Sequence, residues 1–266
     1  MKIIRKILLR PLLVAGLLSS APQITAHAAD IRFLCAGALE SWMTEVIPEF
    51  QKRSSHHVDA SFHIINAITE RIRSGEAADL ATVSPPQWES LEKDGKLDPV
   101  VRVAAAKVGF GVFVKQGAAK PDIISVEALK RALLNARSIA MFDPVRPGPT
   151  VVYQKRVIEQ LGIGEAMKPK IKYSGASKPN QVVSGPLFEL VAGGEADIGI
   201  AMISEIVQAP GVDLVGPMPA DVQSFTVYRM VLPITAKEPA AARALIDFLV
   251  SPEAASKLKS KGLDPG

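Results

Sequence analysis

Five short stretches place small, polar or proline residues where an apolar strand-like run gives way to a helical pattern: "CAGALE" (35–40), "HIINAI" (63–68), "VSPP" (83–86), "DPVRPGPT" (143–150) and "VSGP" (183–186). Helix starts carry backbone N–H groups with no intrahelical partner and a partial positive charge, so such corners favour anions. The residues nominated on this ground are Gly37, Asn66 as a cap, Ser84 as a cap ahead of Pro85, Thr150, and Ser184 as a cap followed by Gly185. His63 ends a strand pattern beside one corner and is an additional contact. Arg146 has two readings, a bidentate clamp on a carboxylate or an ordinary exposed loop arginine.

Catalytic patterns are scarce. There is no Gly-x-Ser-x-Gly elbow, no Gly-x-x-x-x-Gly-Lys-Ser/Thr phosphate loop and no His-Glu-x-x-His zinc motif. His56 and His57 sit in a polar turn and read as solvated, and no second His or Cys stands at ligand spacing from His63, so no metal or cofactor is expected. If the chain is an enzyme, of lyase or dehydratase type, the visible acid–base groups are His63, Glu40 and Asp143.

The elements that must hold these corners alternate. "IRFLCAG" reads as a buried strand, and Leu39, Trp42, Met43, Val46, Ile47 and Phe50 then form one apolar face at helical spacing, with Pro48 expected to bend that helix or limit its hydrogen bonding. Strand and helix patterns follow in turn to residue 100 and resume over 110–208, which predicts mostly parallel sheet covered by helices. A phrase recurs between the two halves: "RSGEAADLATVS" (73–84) and "AGGEADIGIAMIS" (192–204) each exit a helix on glycine and enter an apolar strand, with Gly75 and Gly194 at matching places. Two similar Rossmann-like α/β lobes with a cleft between them account for the echo. Near the end, "FTVYRMVLPITA" reads as a strand and the last segment as two helices broken at Ser251-Pro252.

Charge must be counted by segment. Lys2, Arg5, Lys6 and Arg10 precede the apolar run "PLLVAGLL" (11–18) and the small-residue ending "AHA" (26–28), the layout of a cleaved secretory signal over residues 1–28. The whole chain has 31 basic and 27 acidic side chains, so removing those four leaves 27 of each and no basic balance toward nucleic acid. The 238 residues left of 266 suffice for one large domain or two medium lobes. A single cysteine, Cys35, allows no intramolecular disulfide; it reads as a small buried apolar side chain or, alternatively, as a reactive thiol.

"GEAADLATVSPPQWESLEKDGKL", "VYQKRVIEQLGI", "LVAGGEADIGIAM" and "ARALIDFLVSPEAASKLKSKG" together resemble the molybdate-binding periplasmic proteins and their relatives among the type II solute-binding proteins, receptors of ABC importers. The resemblance implies two lobes, residues 29–109 with 229–266 and residues 110–228, closing on a small anionic solute. It further implies a periplasmic location, an inner-membrane ABC permease as partner, no nucleic acid, and a monomer. A sensor that reports the solute to a membrane protein is equally compatible with it. That family holds its oxyanion partly through serines at the end of the first strand and in the turn after the second, and often a tyrosine after the "GEAD" strand. Here those places are Ala38, Ile65 and Met202. Three missing hydroxyls point to a less polar pocket, for a molybdate-like oxyanion held by backbone donors or for a small organic acid, with Asn66, Ser84, Thr150 and Ser184 as compensating donors.

Overall fold

The computed structural model describes residues 28–145, 148–175 and 185–266. Arg146, Ser184 and all of the expected signal except Ala28 lie outside them. In chain order the elements are β1 (Asp30–Ala36), α1 (Glu40–Ser54), β2 (His57–His63), α2 (Ile65–Arg73), β3 (Leu80–Val83), α3 (Pro85–Lys93) and β4 (Val103–Lys115). Then come α4 (Val126–Asn135), β5 (Ile139–Phe142), α5 (Pro149–Gln160), α6 (Gly164–Met167), β6 (Ile171–Ser174), α7 (Gly185–Ala192), β7 (Ile198–Met202) and α8 (Ile203–Ile206). The chain finishes with β8 (Val212–Pro217), β9 (Phe225–Val231), α9 (Pro239–Leu249), α10 (Pro252–Ala255) and β10 (Asp264–Pro265).

The two halves use one arrangement twice. β1 lies between β2 and β3, parallel to both, and β5 lies between β6 and β7, again parallel to both. Phe33 stands opposite Leu80 in the first half as Ile139 stands opposite Ile198 in the second. The glycine corners repeat too. The N–H groups of Gly75 and Glu76 donate to the carbonyls of Ile72 and Arg71, and those of Gly194 and Glu195 donate to Val191 and Leu190. This is the double bond of a Schellman helix end, and it needs the left-handed backbone that Gly75 (φ 83°) and Gly194 (φ 81°) supply.

The halves are joined through β4. Its residues 103–109 pair with β9, which also borders β3, whereas 110–114 pair with β7 and 111–115 with β8. One strand thus serves both lobes, and its run Val108–Val114 is buried throughout. At the changeover the side-chain amide of Gln223 takes both backbone groups of Phe110: Oε1 accepts its N–H and Nε2 donates to its carbonyl, each at 2.9 Å. Tyr153 stacks on the Phe110 ring at 3.8 Å between centroids.

Several local expectations are corrected. Asn66 is not a cap: α2 begins one residue earlier, with Ile64 in the cap position and no side-chain cap bond. Ser84 does hold the cap position of α3, but its hydroxyl meets the Gln87 side chain rather than a backbone N–H. Pro48, by contrast, is where expected, inside α1, from which it withholds one backbone N–H. The lost backbone bond costs about 3 kcal/mol, while burying Val46, Ile47 and Phe50 returns about 1.5–3 kcal/mol each. The pattern read as resuming at 110 starts earlier, since β4 runs from Val103 to Lys115, and β8 (Val212–Pro217) adds a strand beyond the 110–208 alternation.

Candidate solute-binding cleft

In the first lobe, three strand ends face the same way because β1, β2 and β3 are parallel. β1 passes into a tight turn at Gly37–Leu39 that leads into α1, with no side chain capping it. Beneath the turn, the buried Thr82 hydroxyl accepts the Ala36 N–H at 2.6 Å. β2 delivers Ile65 as the first residue of α2, and β3 delivers Ser84 to α3. The second and third corners are tied together by Gln87, whose Nε2 donates to Asn66 Oδ1 at 3.3 Å while its Oε1 meets Ser84. Gln87 was not nominated from sequence; its position three residues beyond a helix cap is the signal that was there to use.

The second lobe repeats the geometry with β5, β6 and β7. Gly148, in a backbone conformation open only to glycine (φ 152°), precedes α5, which buries Thr150 in its first turn. Gln154 lies one turn further on, 1% exposed. Its Oε1 accepts the Phe142 N–H at 3.0 Å and its Nε2 donates to the Ile200 carbonyl at 2.7 Å, which fixes α5 against two strands. Asp143 is engaged locally, accepting the Val145 N–H at 3.0 Å. Gly185 is the first residue of α7 and Met202 the last of β7.

The places where the resemblance implied hydroxyls are closed and apolar. Ala38, Ile65 and Met202 are all buried. The Met202 sulfur is already engaged, accepting from the Tyr228 hydroxyl at 3.4 Å, and Met202 stands opposite Phe110 where β4 changes lobes. Burial drives the Tyr228 phenol well above its ordinary range, so it serves only as a neutral donor. Cys35 is fully buried and its thiol is likewise pushed up by desolvation, which favours the apolar reading over the reactive one.

His63 is half-buried against Arg71, whose Nη1 contacts its Nε2. Arginine has donors only, so in this contact Nε2 is the acceptor. Desolvation, then the Arg71 charge, lowers the imidazole pKa, with Glu76 opposing. The lowered pKa favours the neutral imidazole, and the contact engages its Nε2 lone pair with Arg71.

Gly37 and Gly185, from opposite lobes, both line an open crevice of about 650 Å³ between α1 and the α7–α8 region. Glu40 and Ser41 form part of one wall and Ser204 part of the other. Among the described residues, no group of three or more His, Cys, Asp or Glu is placed to hold a metal, and no helix is long and apolar enough to cross a membrane.

Comparison with known proteins matches this architecture. The chain is 29% identical over 263 residues to an aconitate isomerase from Pseudomonas sp., covering 96% of each chain. It is 27% identical over 263 residues to the molybdate-binding protein ModA of Azotobacter vinelandii, covering 93% of each. Among solved structures, the substrate-binding domain of a putative molybdenum ABC transporter from Clostridium difficile superposes with a TM-score of 0.73 at 17% identity, over 90% of this chain and 100% of that one. The family model of the bacterial extracellular solute-binding proteins matches residues 31–264, and the chain belongs to that family.

Proposed function

We propose that this protein captures a small organic carboxylate between its two lobes and delivers it to an ABC permease in the inner membrane. The observation that carries the reading is the burial of Ala38, Ile65 and Met202 at three corners, where a bare oxyanion would need hydroxyl donors. Each unmade hydrogen bond to a buried charge costs about 1.5–3 kcal/mol. A carboxylate with a carbon frame uses the helix-start amides for its oxygens and offers its apolar part to these side chains. The relative named aconitate isomerase supports the same ligand chemistry. In this reading residues 1–28 are a cleaved export signal, the mature chain is a periplasmic monomer, and the first lobe regains the chain at β9. The contacts in this reading are Gly37, Ala38, Ile65, Asn66 and Ser84 from the first lobe and Thr150, Gly185 and Met202 from the second, with Ser184 nominated from sequence alone and His63 and Arg146 as additional contacts. A ligand touching both lobes favours the closed arrangement; hinge closure of this type is a known property of periplasmic binding proteins.

Thermal melting against molybdate, sulfate, citrate and the two aconitate isomers tests it. A ligand at about 100 times its Kd stabilises by about 2.7 kcal/mol. Stabilisation by a carboxylate and not by molybdate is the expected result, and the reverse would end the reading.

A second reading is isomerisation of such a carboxylate within the same cleft, favoured by the name of the 29% identical relative. Moving a double bond along a carbon frame requires removing a proton from one carbon and returning one to another. The His63 Nε2 lone pair is engaged by Arg71 and Asp143 Oδ1 accepts the Val145 N–H; Glu40, on the crevice wall, is the base to examine first. Proton NMR of cis- and trans-aconitate with the protein separates the readings: interconversion denotes an isomerase, and saturable binding without it denotes a carrier.

A further inference from the structure

Beyond the helix starts at Gly37 and Gly185, the crevice between α1 and the α7–α8 region carries acidic side chains on its walls. Glu40 and Glu45 come from α1, Glu189 from α7 and Glu205 from α8, and Lys261 is the one cation among the described lining residues. Lys261 is committed to Glu45 at 2.8 Å. In the wall beside Glu205, Ser204 is 0% exposed and its hydroxyl has no hydrogen-bond partner. Across the gap, the buried Ser41 hydroxyl has none either. A buried hydroxyl left in that condition costs about 1–3 kcal/mol, which is recovered when a guest supplies N–H groups. Phe188, Ala192 and Pro210 give the same space an apolar side suited to methylenes. The described carboxylates do not converge as a metal set, so the fitting guest is an organic cation that brings its own donors.

We propose that this crevice binds a primary alkylammonium group, with the Ser41 and Ser204 hydroxyls and the Glu40 carboxylate accepting its N–H bonds. The site draws on both lobes, so its occupant favours the arrangement in which the two walls face each other. Calorimetric titration with 1,4-diaminobutane in a carboxylate-free buffer at fixed ionic strength tests it. Tetramethylammonium, a cation without N–H donors, is the control, with 1-aminobutane titrated beside it to match its single charge. The expected result is saturable binding of diaminobutane, none of tetramethylammonium, and about tenfold weaker binding for each of Ser204→Ala and Glu40→Gln. Ser204→Ala removes an unsatisfied group, so its ligand-free Tm should not fall. No saturable diaminobutane binding, equal binding by tetramethylammonium, or undiminished binding in both variants would overturn the proposal. The two sites share the crevice beside Gly37 and Gly185 but use different groups, so absence of diaminobutane binding leaves the carboxylate reading standing, and a negative carboxylate panel leaves this titration to be read by itself.

Discussion

Asp79 and Asp197 perform the same task in the two halves of the molecule. Each stands just ahead of a lobe's third parallel strand, and each uses Oδ2 to accept a backbone N–H from the neighbouring strand region, Arg32 at 2.9 Å and Arg137 at 2.8 Å. Their own N–H groups donate to the carbonyls of Arg32 and Ser138. Their surroundings differ. Asp79 is 4% exposed, and its Oδ1 also accepts from Lys237 and Glu238 at the entry to α9. Asp197 is nearer the surface and shares its carboxylate with the exposed Arg137 guanidinium.

The difference sets the first prediction. Asp79→Ala strands three backbone donors, two of them holding the start of α9, and should destabilise by about 3–5 kcal/mol. Asp197→Ala exposes donors that water can reach and should cost about 1 kcal/mol. Urea unfolding of both variants checks the order; equal losses would contradict the assignment.

The pocket argument yields the second. Ala38→Ser together with Ile65→Ser places hydroxyls at two corners where the family resemblance expects them. Each new bond to a buried anion is worth about 1.5 kcal/mol or more, so molybdate affinity should rise about a hundredfold for the pair. Calorimetry with molybdate decides; unchanged affinity would mean that these corners do not face the bound solute.

The third concerns the crossing between lobes. Gln223 supplies both halves of a ladder rung to Phe110 just where β4 leaves β9 for β7. Gln223→Leu keeps the bulk and loses both bonds, at a cost of about 1–3 kcal/mol. Hydrogen exchange should quicken at Phe110 well before it does in the centre of β1; uniform protection across β4 would show that the rung is dispensable.

Much of this architecture was legible from letters, and the reason is periodicity. The echo around Gly75 and Gly194 encodes a helix exit that only glycine completes, and the same carboxylate anchor follows it both times. The corners at Gly37, Ser84 and Gly185 were visible because strand and helix patterns meet there. What was not legible depends on partners distant in sequence. Gln154 joins two strands and Gln223 bridges to a residue 113 positions away, and a lone glutamine gives no local sign of either. Asn66 misled because cap preference is a weak local signal. Its side chain instead meets Gln87, 21 residues on, and burial of Ile65 helps set where α2 begins.

The last prediction is a pH dependence with one dominant source. Desolvation and Arg71 lower the His63 pKa from its ordinary 6.5, while Glu76 raises it. The unfolded chain therefore takes up this proton before the folded one does. The contribution to stability is complete above pH 6.5 and is lost as the pH falls from there through the lowered folded value. His63→Gln retains an acceptor for Arg71 and has no proton to gain. Glu76 and Asp197, both held below the usual carboxylate range by their arginine partners, release their own contributions only at lower pH, so they leave the window between pH 7 and 5 clear. Across that window the wild-type Tm should fall more steeply than that of His63→Gln. Parallel curves would show that the imidazole is not held neutral by its contact with Arg71.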